Sequence, residues 1–277
     1  MTIVRKWWAK ALSYIIMAFY ALLILFPLYL MFVTSLKNNR QIFTKPFALP
    51  SPVDFSGYVK LFTVAQYQTY FGNSILVTLV ALAFIVALSS LASYALAKYS
   101  FKARLFVYVY FVAGLIIPIR LGTIGILKTM ITIGLFDTPW SLVIVFVAMG
   151  IPLGVFILYD FIRMIPEELS NSARIDGCSE HSIFARIVMP LAKPALATVA
   201  IVNFIPVWND FWFPLVLIRS NASKTVPLAT ALLFGQFETN FGMVFAVLSM
   251  ASIPVMLFYL ALSRYFIKGL TSGAMKG

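Results

Sequence analysis

FGNSILVTLVALAFIVALSSLASYALA, residues Phe71–Ala97, contains no charged side chain and ends against Lys98. A helix rises 1.5 Å per residue and the hydrocarbon core of a bilayer is about 30 Å thick, so about 20 such residues cross it. Inside lipid every backbone polar group needs a partner within the protein, and a helix supplies those partners locally. Outward from this stretch, Leu12–Thr34, Thr138–Tyr159 and Thr239–Ser263 are equally free of charge. Leu105–Ile119 is shorter and continues past Arg120 through Leu121–Leu127; Pro194–Ile218 qualifies with Asp210 inside it. These segments predict an all-α polytopic membrane protein with six transmembrane helices.

Composition agrees. Charged residues make up 11% of the chain and hydrophobic residues 62%, whereas soluble domains carry about 25% charged residues. The 21 Lys and Arg against 9 Asp and Glu would suit nucleic acid, but they sit beside apolar runs, as they do when they hold loops on the cytoplasmic side of a bilayer. No nucleic-acid partner is expected. Arg5, Lys6 and Lys10 precede the first apolar stretch, which is too long for a signal-peptide core and lacks a small-residue cleavage site. It reads as a retained helix, with Trp7 and Trp8 at the interface. The cluster Lys98, Lys102, Arg104 and the basic residues of 163–193 then place both termini on the cytoplasmic side. Segment 35–70, with Pro46, Pro50 and Pro52, reads as an outer excursion rather than a span. Cys178 is the single cysteine and rules out an intramolecular disulfide.

The polar loop between the fourth and fifth spans, Ile165–Pro190, carries the most local information. Pro166 suits a first helical position, and Glu167 and Glu168 suit the positive end of a helix. Gly177 permits a turn that a side chain obstructs. Ser179 can cap a second short helix in which Ile183, Phe184, Ile187 and Val188 share a face. Pro190 and Pro194 separate that helix from the next span. The expectation is a helix–turn–helix suited to docking a soluble partner.

The spacing resembles the EAA loop of ABC-importer permeases, Glu-Ala-Ala-x-x-x-Gly followed by Ile-x-Leu-Pro. Ala173, Gly177, Ile187 and Pro190 match at the family's offsets, while Asn171, Ser172 and Met189 replace Glu, Ala and Leu. Ile151-Pro-Leu-Gly-Val-Phe156, Ala173-Arg-Ile-Asp-Gly177, Trp208-Asn-Asp210 and the tail Gly269–Gly277 are similar to binding-protein-dependent carbohydrate permeases of the maltose type. The resemblance implies a type I ABC importer permease fold, with a core over 70–265 holding the coupling loop 166–190. An N-terminal segment at 1–69 would contain the first span and the excursion, and 266–277 would be a cytoplasmic tail. It implies ATPase coupling through Asn171, Ser172, Ala173, Arg174, Asp176, Gly177, Ile187 and Pro190. It also implies as partners a homologous permease, two ATP-binding subunits that use ATP and Mg, and an extracytoplasmic solute-binding protein. The chain has no Gly-x-x-x-x-Gly-Lys-[Ser/Thr] phosphate loop, so no catalytic residue and no cofactor of its own is expected.

Asn209 and Asp210 lie among Trp208, Phe211, Trp212 and Phe213. Polar groups beside aromatic faces suit a sugar pathway; interhelical hydrogen bonds are the other reading. Arg120 either snorkels from a helix end to the interface or meets a substrate bearing sulfonate or phosphate. His181, the sole histidine, has no companions for a metal site. Two rival functions stand beside the importer: an ion-gradient-driven secondary transporter, for which Asp210 is the available coupling carboxylate, and a non-transporting membrane scaffold.

Overall fold

The computed structural model describes residues 2–63, 65–236 and 240–274, and side chains over 7–63, 65–232 and 240–261 of these. The described residues form helices and connecting turns, arranged in two compact units: Met1–Tyr67 with Thr230–Ile253, and Gln68–Ala229 with the chain from Pro254.

In the first unit α1 (Thr2–Thr34) is apolar from Trp7 onward and exposes most of that length. The excursion after it is ordered. Lys37 is buried, and its ammonium donates to the carbonyls of Lys45 (3.1 Å) and Pro46 (2.8 Å). Helix α2 (Asn39–Thr44) opens on a capping box, with the Asn38 side chain accepting from the Gln41 N–H at 2.9 Å. Helix α3 (Ser56–Thr63) completes the excursion.

The second unit holds α4 (Tyr67–Lys98), α5 (Arg104–Ile116), α6 (Thr123–Thr132) and α7 (Pro139–Arg163). The helices of the polar loop follow: α8 (Glu167–Ile175), α9 (Glu180–Ile183) and α10 (Met189–Leu191), with a π-helical turn over Phe184–Val188. Then come α11 (Lys193–Asn209) and α12 (Trp212–Leu217). Helices α13 (Val226–Gln236) and α14 (Phe241–Ala274) follow. Helix α14 carries the expected last span and runs on into the predicted tail; Met275–Gly277 lie outside the described residues.

Close packing of α4 against α7 depends on two glycines one turn apart. A Cβ on Gly154 would strike the Ser89 side chain, and one on Gly150 would lie 2.7 Å from Asn203 Oδ1 and collide with Ile85. Small residues let helices approach where lipid supplies no hydrophobic drive between them. Ser93 Oγ then donates to the Val155 carbonyl at 3.3 Å.

Among the described residues four helices are long and apolar enough to cross a membrane, and up to six spans result when each of two bent pairs counts as one. Two sequence expectations are corrected. The third apolar segment is not one continuous helix: α5 ends at Ile116, Pro118 caps the next turn, and Ile119–Thr132 runs at 86° to it. The fifth is broken at Asp210, which adopts an extended backbone (ψ 125°) and ends α11. At 17 residues, α11 is about 25 Å long, so α12 supplies the remainder of the predicted Pro194–Ile218 segment.

Candidate functional site

Two places in the second unit draw the sequence-marked residues together, and α7 runs between them.

The first is the loop after α7. Pro166 occupies the capping position (φ −53°, ψ 133°), one residue before its predicted place, and Glu167 and Glu168 fill the first turn of α8. Ser170 and Ala173 face inward, while Asn171, Ser172, Arg174, Ile175 and Asp176 are exposed; Ile175 is 87% exposed. Helix α8 ends in a Schellman motif. The Cys178 N–H donates to the Ala173 carbonyl at 2.9 Å, the Gly177 N–H to the Arg174 carbonyl at 3.1 Å, and Gly177 has φ +81°. Ser179 then caps α9, its hydroxyl accepting from the Ser182 N–H at 3.3 Å. Ile183 and Val188 are buried with Leu158, Ile162 and Ala173, and Phe184 and Ile187 pack against the same cluster. The predicted apolar face is therefore the face the loop turns to its own spans, leaving the α8 surface outward. Pro190 is exposed, and the chain bends by 74° between Glu180–Leu191 and α11.

A polar network, not legible in the sequence, ties this loop together. Arg174 Nε donates to Glu180 Oε1 at 2.6 Å across the Gly177 turn, and Arg174 Nη1 donates to Asn171 Oδ1 at 2.8 Å. The hydroxyls of Tyr94 and Tyr99, from the end of α4, donate to Glu180 Oε2 at 3.0 and 2.8 Å. Lys98 Nζ donates to the Ile165 carbonyl at 2.7 Å. The Arg174 guanidinium first, and then the Tyr99 hydroxyl, hold the Glu180 carboxyl down at about 2. Asn171, standing where the family pattern has Glu, thus makes its polar contact inside α8. Arg174 and Glu180 were near enough in sequence to suggest a pair across a glycine turn; Tyr94 and Tyr99 carried no such signal.

The second place is a cavity of about 600 Å³ beside the middle of α7. Phe146, Met149, Gly150 and Leu153 of α7 line it, with Arg120, Asn203, Asn209, Asp210 and Trp212 opposite. Asp210 accepts the Phe213 N–H at 2.8 Å and so starts α12. Arg120 lies over the Trp212 ring, 5.9 Å from its centroid. Trp208 departs from the sequence expectation. It is buried away from this cavity, stacked near Phe204 (6.0 Å between centroids) and edge-on to Phe71. Successive helix residues point about 100° apart, so Trp208 and Asn209 face different surroundings.

At the other end of α7, Asp137 accepts from the N–H groups of Arg219 (2.8 Å) and Ser220 (2.9 Å) and from the Ser220 hydroxyl (3.0 Å). Burial opposes its ionisation, but those donors outweigh burial and keep the carboxyl below its ordinary range.

Residues 85–272 match the family described as binding-protein-dependent transport system inner membrane component. The chain is 34% identical over 264 residues to an arabinooligosaccharides transport system permease protein of Halalkalibacterium halodurans, covering 94% of each. It is 32% identical over 252 residues to a melibiose/raffinose/stachyose import permease protein of Bacillus subtilis, covering 91% of each. In fold it is similar to a chain in the crystal structure of a bacterial ABC transporter involved in the import of the acidic polysaccharide alginate. The TM-score is 0.79 at 24% identity, covering 96% of this chain and 99% of that one.

Proposed function

The chain belongs to the family of binding-protein-dependent transport system inner membrane components, and from that premise we propose that it is the membrane-spanning permease subunit of an ATP-driven importer of a sugar, oligosaccharide or polyol. Relatives named for arabinooligosaccharides and for melibiose, raffinose and stachyose support the saccharide class.

One observation carries the mechanism. Helix α7 is one continuous helix, running through Pro152, that lines the cavity with Phe146, Met149, Gly150 and Leu153 and, a few turns on, buries Leu158 and Ile162 against the loop. A push on the outward face of α8 is therefore delivered to the cavity wall along one helix. The groups offered to a partner ATPase are Asn171, Ser172, Arg174, Asp176 and Gly177 on α8 and its turn. Ala173, Ile187 and Pro190 set the shape behind them. Two ATP-binding subunits using ATP and Mg, a homologous permease and an extracytoplasmic solute-binding protein complete the machine, and the core at 70–265 works with both termini cytoplasmic.

The test is uptake by the reconstituted complex. Accumulation is expected with ATP inside the liposomes and binding protein outside. Uptake that instead follows an imposed proton or sodium gradient without ATP would establish the secondary-transporter alternative, and co-purification of the chain with no ATPase would favour a scaffold.

A further inference from the structure

The cavity contains two ionisable groups, Arg120 and Asp210, and they are engaged differently. The Asp210 carboxylate accepts the Phe213 N–H at 2.8 Å, so one of its oxygens is already engaged by backbone. Arg120 forms no ion pair: among the described residues the one ion pair within 4.0 Å joins Arg174 to Glu180. An arginine at membrane depth is costly and turns toward a cavity or a partner. Here its position is fixed by neighbours that leave its donor fork free. The Thr123 hydroxyl donates to the Arg120 carbonyl and accepts the Trp212 indole N–H at 3.0 Å, and the Trp212 ring lies under the guanidinium.

We infer that the transported saccharide carries an oxyanion, which the guanidinium of Arg120 receives while the Trp212 ring supports the adjoining sugar. The inference rests on the importer reading above. A guanidinium presents parallel N–H donors matched to the oxygens of a carboxylate, sulfonate or phosphate. An aromatic face beside it covers the apolar side of a pyranose. A neutral sugar offers that donor fork no oxyanion and so forgoes the charge-assisted hydrogen bonds that an anionic sugar makes.

The experiment uses the complete complex with its binding protein in proteoliposomes, and three labelled probes of equal size: a neutral disaccharide, its uronic-acid counterpart and its amino-sugar counterpart. The uronic-acid probe is expected to be carried in preference to the other two. Arg120→Gln should lower that uptake by about tenfold to a hundredfold, the worth of charge-assisted hydrogen bonds, and Arg120→Lys should restore part of it. Lys128→Gln, a charge removed from α6 outside the cavity, should leave uptake unchanged. Asp210→Asn should retain the preference, since the amide oxygen still accepts from Phe213. ATP-dependent uptake that ignores probe charge, or favours the amino sugar, overturns the inference and leaves the importer reading standing. So does an Arg120→Gln complex, assembled with its ATPase, that keeps the anionic preference. Uptake without ATP counts against the importer reading itself.

Discussion

Asp137 lies just before α7 and Glu180 in the loop that follows it, and the two carboxylates are held by different chemistry. Asp137 is gripped mainly by backbone: the N–H groups of Arg219 and Ser220 converge on one oxygen, and the Asp137 carbonyl accepts the Ser223 hydroxyl at 2.9 Å. Such donors have no rotamers to lose, so that end is a fixed collar. Glu180 is gripped by side chains alone, from Arg174, Tyr94 and Tyr99. The bonds from Arg174 and Tyr99 are exposed and that from Tyr94 is half-buried, and being separate side chains they can break and re-form one at a time. The chain before α7 is pinned, while the loop after it is tied to the end of α4 by separable contacts. The comparison teaches that the loop after α7 is built for strength in its backbone turn and for adjustability in its side chains.

The largest break is aimed at that turn. Gly177→Pro demands φ near −65° where the chain holds +81°, and it removes the N–H that donates to the Arg174 carbonyl. The Schellman motif cannot form, and α8 loses its angle to α9. Substrate-stimulated ATP hydrolysis and uptake should both fall by more than about tenfold, on a local cost of about 3 kcal/mol or more. The chain should still reach the membrane, because the buried cluster of Ile183, Val188 and Leu158 is untouched. Gly177→Asn, whose side chain meets open space and tolerates the left-handed region, should be far milder. Preserved coupling in the proline variant would remove the turn from the mechanism.

A smaller effect is expected at the pinned end. Asp137→Ala removes an acceptor from three donors and places alanine at φ +62°. A loss of about 2 kcal/mol follows from the charged hydrogen bonds alone, read as a lowered thermal midpoint of the purified complex. Asp137→Asn keeps the oxygen and the backbone preference and should lose less than half as much. Neither should disturb ATPase docking, and a docking defect would show that the two ends are not separate.

The apolar runs were legible because burial in lipid leaves a simple mark, the absence of charge over the thickness of a bilayer. The loop was legible for local reasons: Pro166, Gly177 and Ser179 each act within a few residues of themselves. What stayed hidden depends on direction or on distance in the chain. The bend at Pro118 and the helix break at Asp210 each interrupt a segment that is apolar on both sides, and a lone charge such as Arg120 or Asp210 does not by itself announce a break. Trp208 and Asn209 are neighbours in sequence, and which of them meets the cavity is a matter of helix rotation. Tyr94 and Tyr99 reach Glu180 from more than 80 residues away, and nothing in a tyrosine at the end of an apolar helix announces a carboxylate partner.

The mildest test sharpens the comparison by pH. The Glu180 carboxyl is held at about 2 in the folded chain, below its ordinary value near 4.3. A depressed carboxyl contributes stability that is present above the ordinary value and fades as pH falls toward the folded one. Thermal midpoints of the purified complex should therefore decline between about pH 5 and pH 2. Glu180→Gln should remove the Glu180 share of that decline while changing the neutral-pH midpoint little, because an exposed pair is screened by water and salt. Its larger consequence belongs to coupling: the amide no longer attracts Arg174, and the angle between α8 and α9 rests on Gly177 alone. ATP hydrolysis should then respond less to the loaded binding protein at every pH. A variant with a flat pH profile and unaltered coupling would reduce the Arg174–Glu180 bridge to surface decoration and leave the backbone turn as the whole of the device.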